Sequence, residues 1–207
     1  MMVFISRSLP KIDATLARRA SAPKSIKFLL ILLSGLLLCF PFAARADTGI
    51  LVKSAELVLV DETYQLKADF ETNFGATIED ALNKGVPLVF VVEFELERPR
   101  WYWLDETIAS TKSQIKISYH ALTKQYHLQT GEQQKTFSSL PELKAELEHI
   151  EAWPVVDRGG VKKRNSYEAR LRMKLDLSQL PKPLQVSALT SKEWSMESDW
   201  HTWVLKP

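Results

Sequence analysis

The sequence predicts a mainly β fold, an antiparallel β-sandwich, and three observations carry that prediction. From Tyr167 to Ser178 apolar and polar residues alternate without a break: Tyr167, Ala169, Leu171, Met173, Leu175 and Leu177 against Glu168, Arg170, Arg172, Lys174, Asp176 and Ser178. A period of two sustained this long fits no helix and demands a strand with one face on a core and the other in water. On either side of Asp61-Glu62, Leu57 and Leu59 and then Tyr64, Leu66, Ala68 and Phe70 bring their apolar faces together in a single hairpin register. Finally, 45% hydrophobic and 25% charged residues with only 7 Gly make an ordinary globular domain, and no repeat, low-complexity tract or long linker divides it. The expected organisation is a targeting segment, 1–46, followed by a single β-rich domain, 47–207.

The first 46 residues read as an address. A basic stretch ending in Lys24 and Lys27 is followed by an apolar run from Phe28 to Phe40 and by Ala44-Arg45-Ala46. That order is the plan of a secretory signal with an A-x-A cleavage site, so the expected location is the periplasm, with cleavage after Ala46. The alternative is an inner-membrane protein anchored by the uncleaved segment, although a run of about 13 residues is short of the roughly 20 that span a bilayer. Cys39, the sole cysteine, lies inside the apolar run behind Leu36-Leu37-Leu38, where a lipidated cysteine would want small residues; the exported chain is left with no thiol and no disulfide. Removing the segment takes away seven of 27 basic and one of 25 acidic residues, leaving 20 against 24 and a net charge of −4 instead of +2. A mildly acidic domain has no bulk attraction for nucleic acid or anionic lipid.

Taken in order, the first strand carries Leu51, Ala55, Leu57 and Leu59 on one face, with Lys53 as a polar intruder. Pairing Val60 with Thr63 sets Leu59 opposite Tyr64 and Leu57 opposite Leu66, and a slip by one would turn every side chain over. Gln65, Lys67, Asp69 and Glu71 then face water. A helix over Thr77–Lys84 follows, with Thr77 as N-cap, Asp80 reaching back as in a capping box, Ile78, Ala81 and Leu82 as the buried stripe, and Gly85 and Pro87 as its stop. From Val86 to Arg98 one face is apolar throughout, while the other changes from Val89 and Val91 to Glu93, Glu95 and Glu97; this strand is buried on both faces at its start and half-solvated at its end.

Arg98-Pro99-Arg100 breaks that run, and Trp101-Tyr102-Trp103 resumes an extended path. Ile115, Ile117, Tyr119 and Ala121 mark another strand, which turns at Thr123-Lys124 and returns through Tyr126 and Leu128. A two-residue loop there sets Tyr119 opposite Leu128 and Ala121 opposite Tyr126. A short strand runs through Gln134, Thr136 and Phe137. Ser139 caps a second helix, Glu142 completes its box and Pro141 sits harmlessly in the first turn. Leu140, Leu143, Leu147 and Ile150 recur at helical spacing and Pro154 closes the element, predicting a helix over Ser139–Glu151. After the long strand, Leu180-Pro181-Lys182-Pro183 bends the chain. Gln185–Leu189 and Glu193–Leu205 supply one or two last strands, with Trp194, Met196 and Trp200 inward and Trp203 on the opposite side. Two short helices leave α+β as the alternative class, and an immunoglobulin-like sandwich is one architecture this pattern fits.

Catalytic signatures are missing: no glycine-rich phosphate loop, no G-x-S-x-G elbow, no H-E-x-x-H. The expectation is a non-enzyme with no cofactor. The sharpest metal candidate is His120 with His127, which the hairpin register sets directly opposite one another; two imidazoles make half a site, with no carboxylate placed to complete it. Glu93, Glu95 and Glu97 form an acidic ladder and Arg170, Arg172 and Lys174 a basic one. Either the two strands are neighbours and these charges pair, or they are two unrelated solvated faces. Of six tryptophans, core filling accounts for most; Trp101, Trp103, Trp200 and Trp203 are the candidates for an exposed patch that binds a sugar or a partner protein.

The run Tyr119-His120-Ala121-Leu122-Thr123-Lys124-Gln125-Tyr126, the strand from Tyr167 with its exit through Leu180-Pro181-Lys182-Pro183-Leu184-Gln185-Val186, and Glu193-Trp194 with Ser198-Asp199-Trp200 resemble the proteobacterial DUF4390 family of uncharacterised exported proteins. The resemblance spans essentially the whole exported chain. It implies no assigned activity and no catalytic residues to carry over. It also implies an envelope protein partner, because such proteins are often encoded beside a nitrogen-regulation-type sensor kinase. The expected function is therefore a non-catalytic periplasmic interaction module linked to a two-component sensor kinase; the alternative is a periplasmic protein that binds a small ligand or a glycan.

Overall fold

The computed structural model describes residues 49–102 and 105–207. The predicted address segment, its cysteine and its cleavage site lie outside the described residues, as does Trp103. Among the described residues nine strands and three helices follow in the order β1 (Gly49–Val60), β2 (Thr63–Asn73), α1 (Ala76–Asn83), β3 (Leu88–Arg98), β4 (Glu106–His120), β5 (Gln125–Thr130), β6 (Gln133–Phe137), α2 (Leu140–Leu147), β7 (His149–Asp157), β8 (Tyr167–Leu175), α3 (Lys182–Thr190) and β9 (His201–Leu205). All pairings are antiparallel, in a three-stranded sheet of order β1-β2-β7 and a six-stranded sheet of order β6-β5-β4-β3-β8-β9. The fold is thus mainly β and sandwich-like, as expected.

The sandwich core forms where the alternating faces meet. Strand β8 buries Tyr167, Ala169, Leu171, Met173 and Leu175 and leaves every residue between them half-exposed, as its period dictates. The Tyr167 hydroxyl, carried into the core, accepts a hydrogen bond from the Lys162 N–H at 2.8 Å, which satisfies the buried oxygen and ties down the preceding loop. The β1–β2 hairpin has the predicted register, Val60 against Thr63, Leu59 against Tyr64 and Leu57 against Leu66, with Asp61 in the left-handed conformation (φ 52°) at the tight turn.

Several expectations need correction. Leu51 is 59% exposed, because the β1–β2 register shifts between Val52 and Ser54. The extra residue, Lys53, reverses the facing of the strand, so Ile50 and Val52 enter the core and Lys53 pairs with Glu71 at 2.8 Å. Thr77 is no cap: the cap position falls two residues earlier, at Gly75, and the Thr77 hydroxyl donates to Glu193 at 2.6 Å. Trp101 and Tyr102 form a turn and do not continue a strand.

Helix α2 keeps its predicted start, with the Glu142 N–H donating to Ser139 Oγ. It stops at Leu147, however, and Ile150 belongs to β7, paired with Ala68 of β2. The Glu148 carbonyl accepts the Phe70 N–H at 2.8 Å and its carboxylate accepts both the N–H and the hydroxyl of Thr72, so β2 captures the chain just where the helical spacing would continue. Finally, Gln185–Leu189 lies in α3. Pro183 sits in the first turn of that helix, where its missing N–H costs nothing, and the Gln185 amide donates to the carbonyls of Ser178 and Leu180.

Candidate functional site

The large sheet has an outer face that meets solvent, and at its centre the two charge ladders are neighbours. Glu93 stands opposite Arg172 and Glu95 opposite Arg170, while on the other side Glu93 faces Lys112 of β4. Glu93 is buried, its side chain 6% exposed, and it accepts from Arg172 Nε at 2.6 Å and Lys112 Nζ at 2.7 Å, with Lys174 Nζ at 3.3 Å. Burial alone would raise the Glu93 carboxyl; the three cationic donors outweigh it and hold it at about 2. Arg172 also reaches Glu197 at 2.8 Å, and Arg170 spans Glu95 and Glu97.

Trp200 covers this network. Its ring lies 4.7 Å from the guanidinium carbon of Arg170 and 4.4 Å from that of Arg172, a double cation–π stack. Trp200 is therefore on the charged face, not inward with Trp194 and Met196, which are buried as expected. Trp203 takes the inward position, opposite Ala169 and 6.3 Å from the Phe94 ring. The inward alternation expected from Trp194 through Trp200 fails because residues 192–194 form a 3-10 turn and 195–200 an irregular path.

Trp101 is placed quite differently. It sits in the β3–β4 turn, 94% exposed, with Tyr102 66% exposed and edge-on to it at 5.1 Å. The base of this tip is fixed: Arg98 and Arg100 both donate to Glu106, whose carboxyl is held low, first by the Arg100 hydrogen bond, and the Arg100 N–H donates to Asp105 at 3.1 Å. The three described tryptophans of the four nominated are thus not gathered: Trp101 is on a tip, Trp200 on the sheet face and Trp203 against the core.

His120 and His127 do meet, with ring centroids 4.5 Å apart and edge to face, although the register differs from the expected one. The loop before Gln125 is two residues longer than a two-residue turn allows, so His127 pairs with Ser118, His120 with Gln125 and Tyr119 with Tyr126. A shift of two preserves the face, which leaves the histidines as diagonal neighbours. His127 Nδ1 lies 3.0 Å from the Gln134 amide and 3.1 Å from the Thr136 hydroxyl. Among the described residues no group of three or more His, Cys, Asp or Glu gathers to hold a metal ion.

Sequence reasoning missed a cleft. Three strands cannot cover the inner face of six, and α2 covers only part of the remainder. Between the edge strand β7 and the inner faces of β4, β5 and β6 lies a groove of about 730 Å³, with Ile115 and Leu128 as its floor and Ile150 and Trp153 on its wall. At its mouth His149 Nδ1 lies 2.6 Å from Asp69 and Nε2 3.0 Å from Glu151, so both ring nitrogens face carboxylates and the imidazole is raised above its ordinary range, first by Glu151 and then by Asp69. The Ser54 hydroxyl donates to Asp69 at 2.7 Å rather than meeting the histidine, so this chain of groups does not activate a nucleophile. The available signal was Trp153-Pro154-Val155-Val156, an extended stretch following directly on the helical spacing.

A family model, described as a domain of unknown function (DUF4390), matches residues 47–204. No curated protein and no solved structure matches the chain.

Proposed function

We propose, for a chain that belongs to the DUF4390 family, a non-catalytic interaction module of the periplasm that docks an envelope protein through the β3–β4 tip. The observation that carries this reading is the pair Trp101 and Tyr102, 94% and 66% exposed on a turn whose base is held by Arg98, Arg100 and Glu106. Large aromatic side chains presented on a preorganised support, with little to lose on ordering, are what hot spots are made of. The partner class is an envelope protein, with the outer domain of a two-component sensor kinase as the first to try. Placing a photo-crosslinking residue at 101, with a second at the exposed Val186 as reference, tests the reading in cells. A discrete crosslinked partner at 101 and none at 186, lost on Tyr102→Ala, is expected; equal labelling at both positions would overturn it.

The second reading, a small-ligand or glycan binder, draws support from the cleft beside β7. Its volume of about 730 Å³ falls within the roughly 300–1,000 Å³ of small-molecule sites. Its one tryptophan, Trp153, is not among those nominated from the sequence.

A further inference from the structure

The chemistry of that same cleft selects its occupant. The geometry points to an extended peptide segment with alternating apolar and basic residues, added along the edge of β7 that no described strand pairs, as a fourth strand of the small sheet. This deepens the ligand-binding reading and is independent of the Trp101 surface.

The first argument is the backbone. In an antiparallel pair, successive residues of a strand point their N–H and C=O groups alternately toward and away from the partner. The Glu148 carbonyl accepts from Phe70, and Ile150 stands opposite Ala68 in the same register, so His149 and Glu151 turn their backbone groups away from β2, toward the cleft. An edge with free donors and acceptors is a template for strand addition. The slot ends at Val155, whose carbonyl accepts the Thr111 hydroxyl of β4 at 3.3 Å. From His149 to Pro154 six residues flank the cleft, about 20 Å at roughly 3.3 Å per residue.

The side chains supply the second argument. An added strand directs alternate residues onto Ile115 and Leu128, the apolar part of a floor that Ser113, Thr130 and Lys135 complete, and valine-like side chains suit that part. Its other residues point outward, where negative charge is in excess. Lys135, on the floor opposite Leu128, is already paired with Glu146, while outward His149 lies between two carboxylates, Asp69 and Glu151, so one of these is left over even with the imidazole protonated. Glu132, at the β5–β6 turn, adds a further carboxylate to the lining. Basic residues in the outward positions meet that excess. The Ala152 backbone (φ 56°) and Pro154 interrupt the edge beyond Glu151, which confines pairing to a short segment and protects the edge from unlimited association.

The test uses the full chain and a capped hexapeptide of alternating valine and lysine, with a valine–glutamate hexapeptide and a chitin hexasaccharide as comparison probes. Binding of the valine–lysine peptide is expected at least about tenfold tighter than of the valine–glutamate one, a factor of ten in Kd, with slowed hydrogen exchange at the His149 and Glu151 amides, the signature of added strand bonds. Thr130→Trp, at an exposed position on the cleft lining, should abolish binding while leaving the unfolding midpoint unchanged. Trp101→Ala should bind the peptide as well as the parent does, which separates this inference from the docking tip. Peptide binding without protection of those amides, indifference to Thr130→Trp, or preference for the oligosaccharide would each overturn the proposal.

Discussion

Trp101 and Trp200 are the same residue type at two stations of one molecule, and their surroundings assign them opposite uses. Trp200 is consumed by the fold: it stacks on two guanidiniums that are themselves tied to Glu93, Glu95 and Glu97, so its ring shields charge pairs from water. Trp101 stands 94% exposed on a tip whose Arg98 and Arg100 are paired with Glu106 at the base, and its ring partner Tyr102 is 66% exposed. An aromatic count from the sequence treats the two alike. The difference is in what the neighbouring charges still need. Around Trp200 they are covered by its ring; around Trp101 the charges pair at the base and the rings stay exposed.

The comparison breaks first, if it breaks, at Glu93. Glu93→Ala leaves Lys112, Arg172 and Lys174 converging on a missing carboxylate. Removing one member of a buried ionic cluster should cost about 3 kcal/mol, roughly 6–12 °C in Tm for a domain of this size. Glu95→Ala, whose 3.6 Å pair with Arg170 is 30% exposed, should cost under about 1 kcal/mol. Equal losses in denaturant unfolding would show that the sheet face is a set of ordinary surface pairs with nothing for Trp200 to shield.

Acid titration probes the same group without mutation. The Glu93 carboxyl titrates at about 2 in the folded chain against an ordinary 4.5. A depressed acid stabilises the fold through its ionised form. That contribution is complete above about 4.5 and is lost as the pH falls toward 2, up to ~3 kcal/mol over the window. His149 works in the other direction: its raised imidazole stabilises the fold below its ordinary range near 6.5, and that small, solvent-screened contribution fades as the pH rises through the folded value. Unfolding midpoints from pH 6 down to pH 2 should therefore fall steeply in the parent and less steeply in Glu93→Gln. Parallel curves would remove Glu93 from the centre of the network.

How much of this was legible depends on whether the deciding interaction is local in sequence. Strand β8 and the β1–β2 register were readable because alternation is a property of consecutive residues and the tight turn fixes the pairing. The facing ladders were written in the sequence as opposite charges, but their pairing waited on strand order, which no local pattern supplies. Strand β7 was not readable: Leu140, Leu143, Leu147 and Ile150 keep helical spacing through its start, and what ends the helix is Phe70 and Thr72, more than seventy residues away, bonding to Glu148. With β7 went the cleft. The Trp200 and Trp203 positions were exchanged because alternation was carried through residues 192–200, which are not strand. His120 and His127 meet in either register, since a slip of two keeps both on one face, but as diagonal neighbours and not as directly opposed ones.

Smaller effects sharpen the comparison. Trp200→Ala should cost about 1–2 kcal/mol, two cation–π contacts at partly desolvated sites, and should lose most of that cost in an Arg170→Ala, Arg172→Ala background; full additivity in the double-mutant cycle would mean that the stack contributes nothing of its own. Exchanging Glu95 and Arg170 should recover about 0.5 kcal/mol relative to the sum of the single reversals, the usual yield of a cross-strand pair.

The smallest expected effect is the one on which the functional half of the comparison rests. Trp101→Ala removes a side chain with 6% of its surface covered, since it is 94% exposed, and surface substitutions away from caps, cores and networks fall within about ±0.5 kcal/mol. Equilibrium unfolding of the parent and of Trp101→Ala should therefore superimpose, while crosslinking from a probe at the neighbouring position 102 collapses. A side chain that carries binding without carrying stability is what a docking tip requires. If Trp101→Ala instead destabilises the chain by as much as Trp200→Ala, both tryptophans are parts of the fold, and the β3–β4 tip loses its claim on a partner.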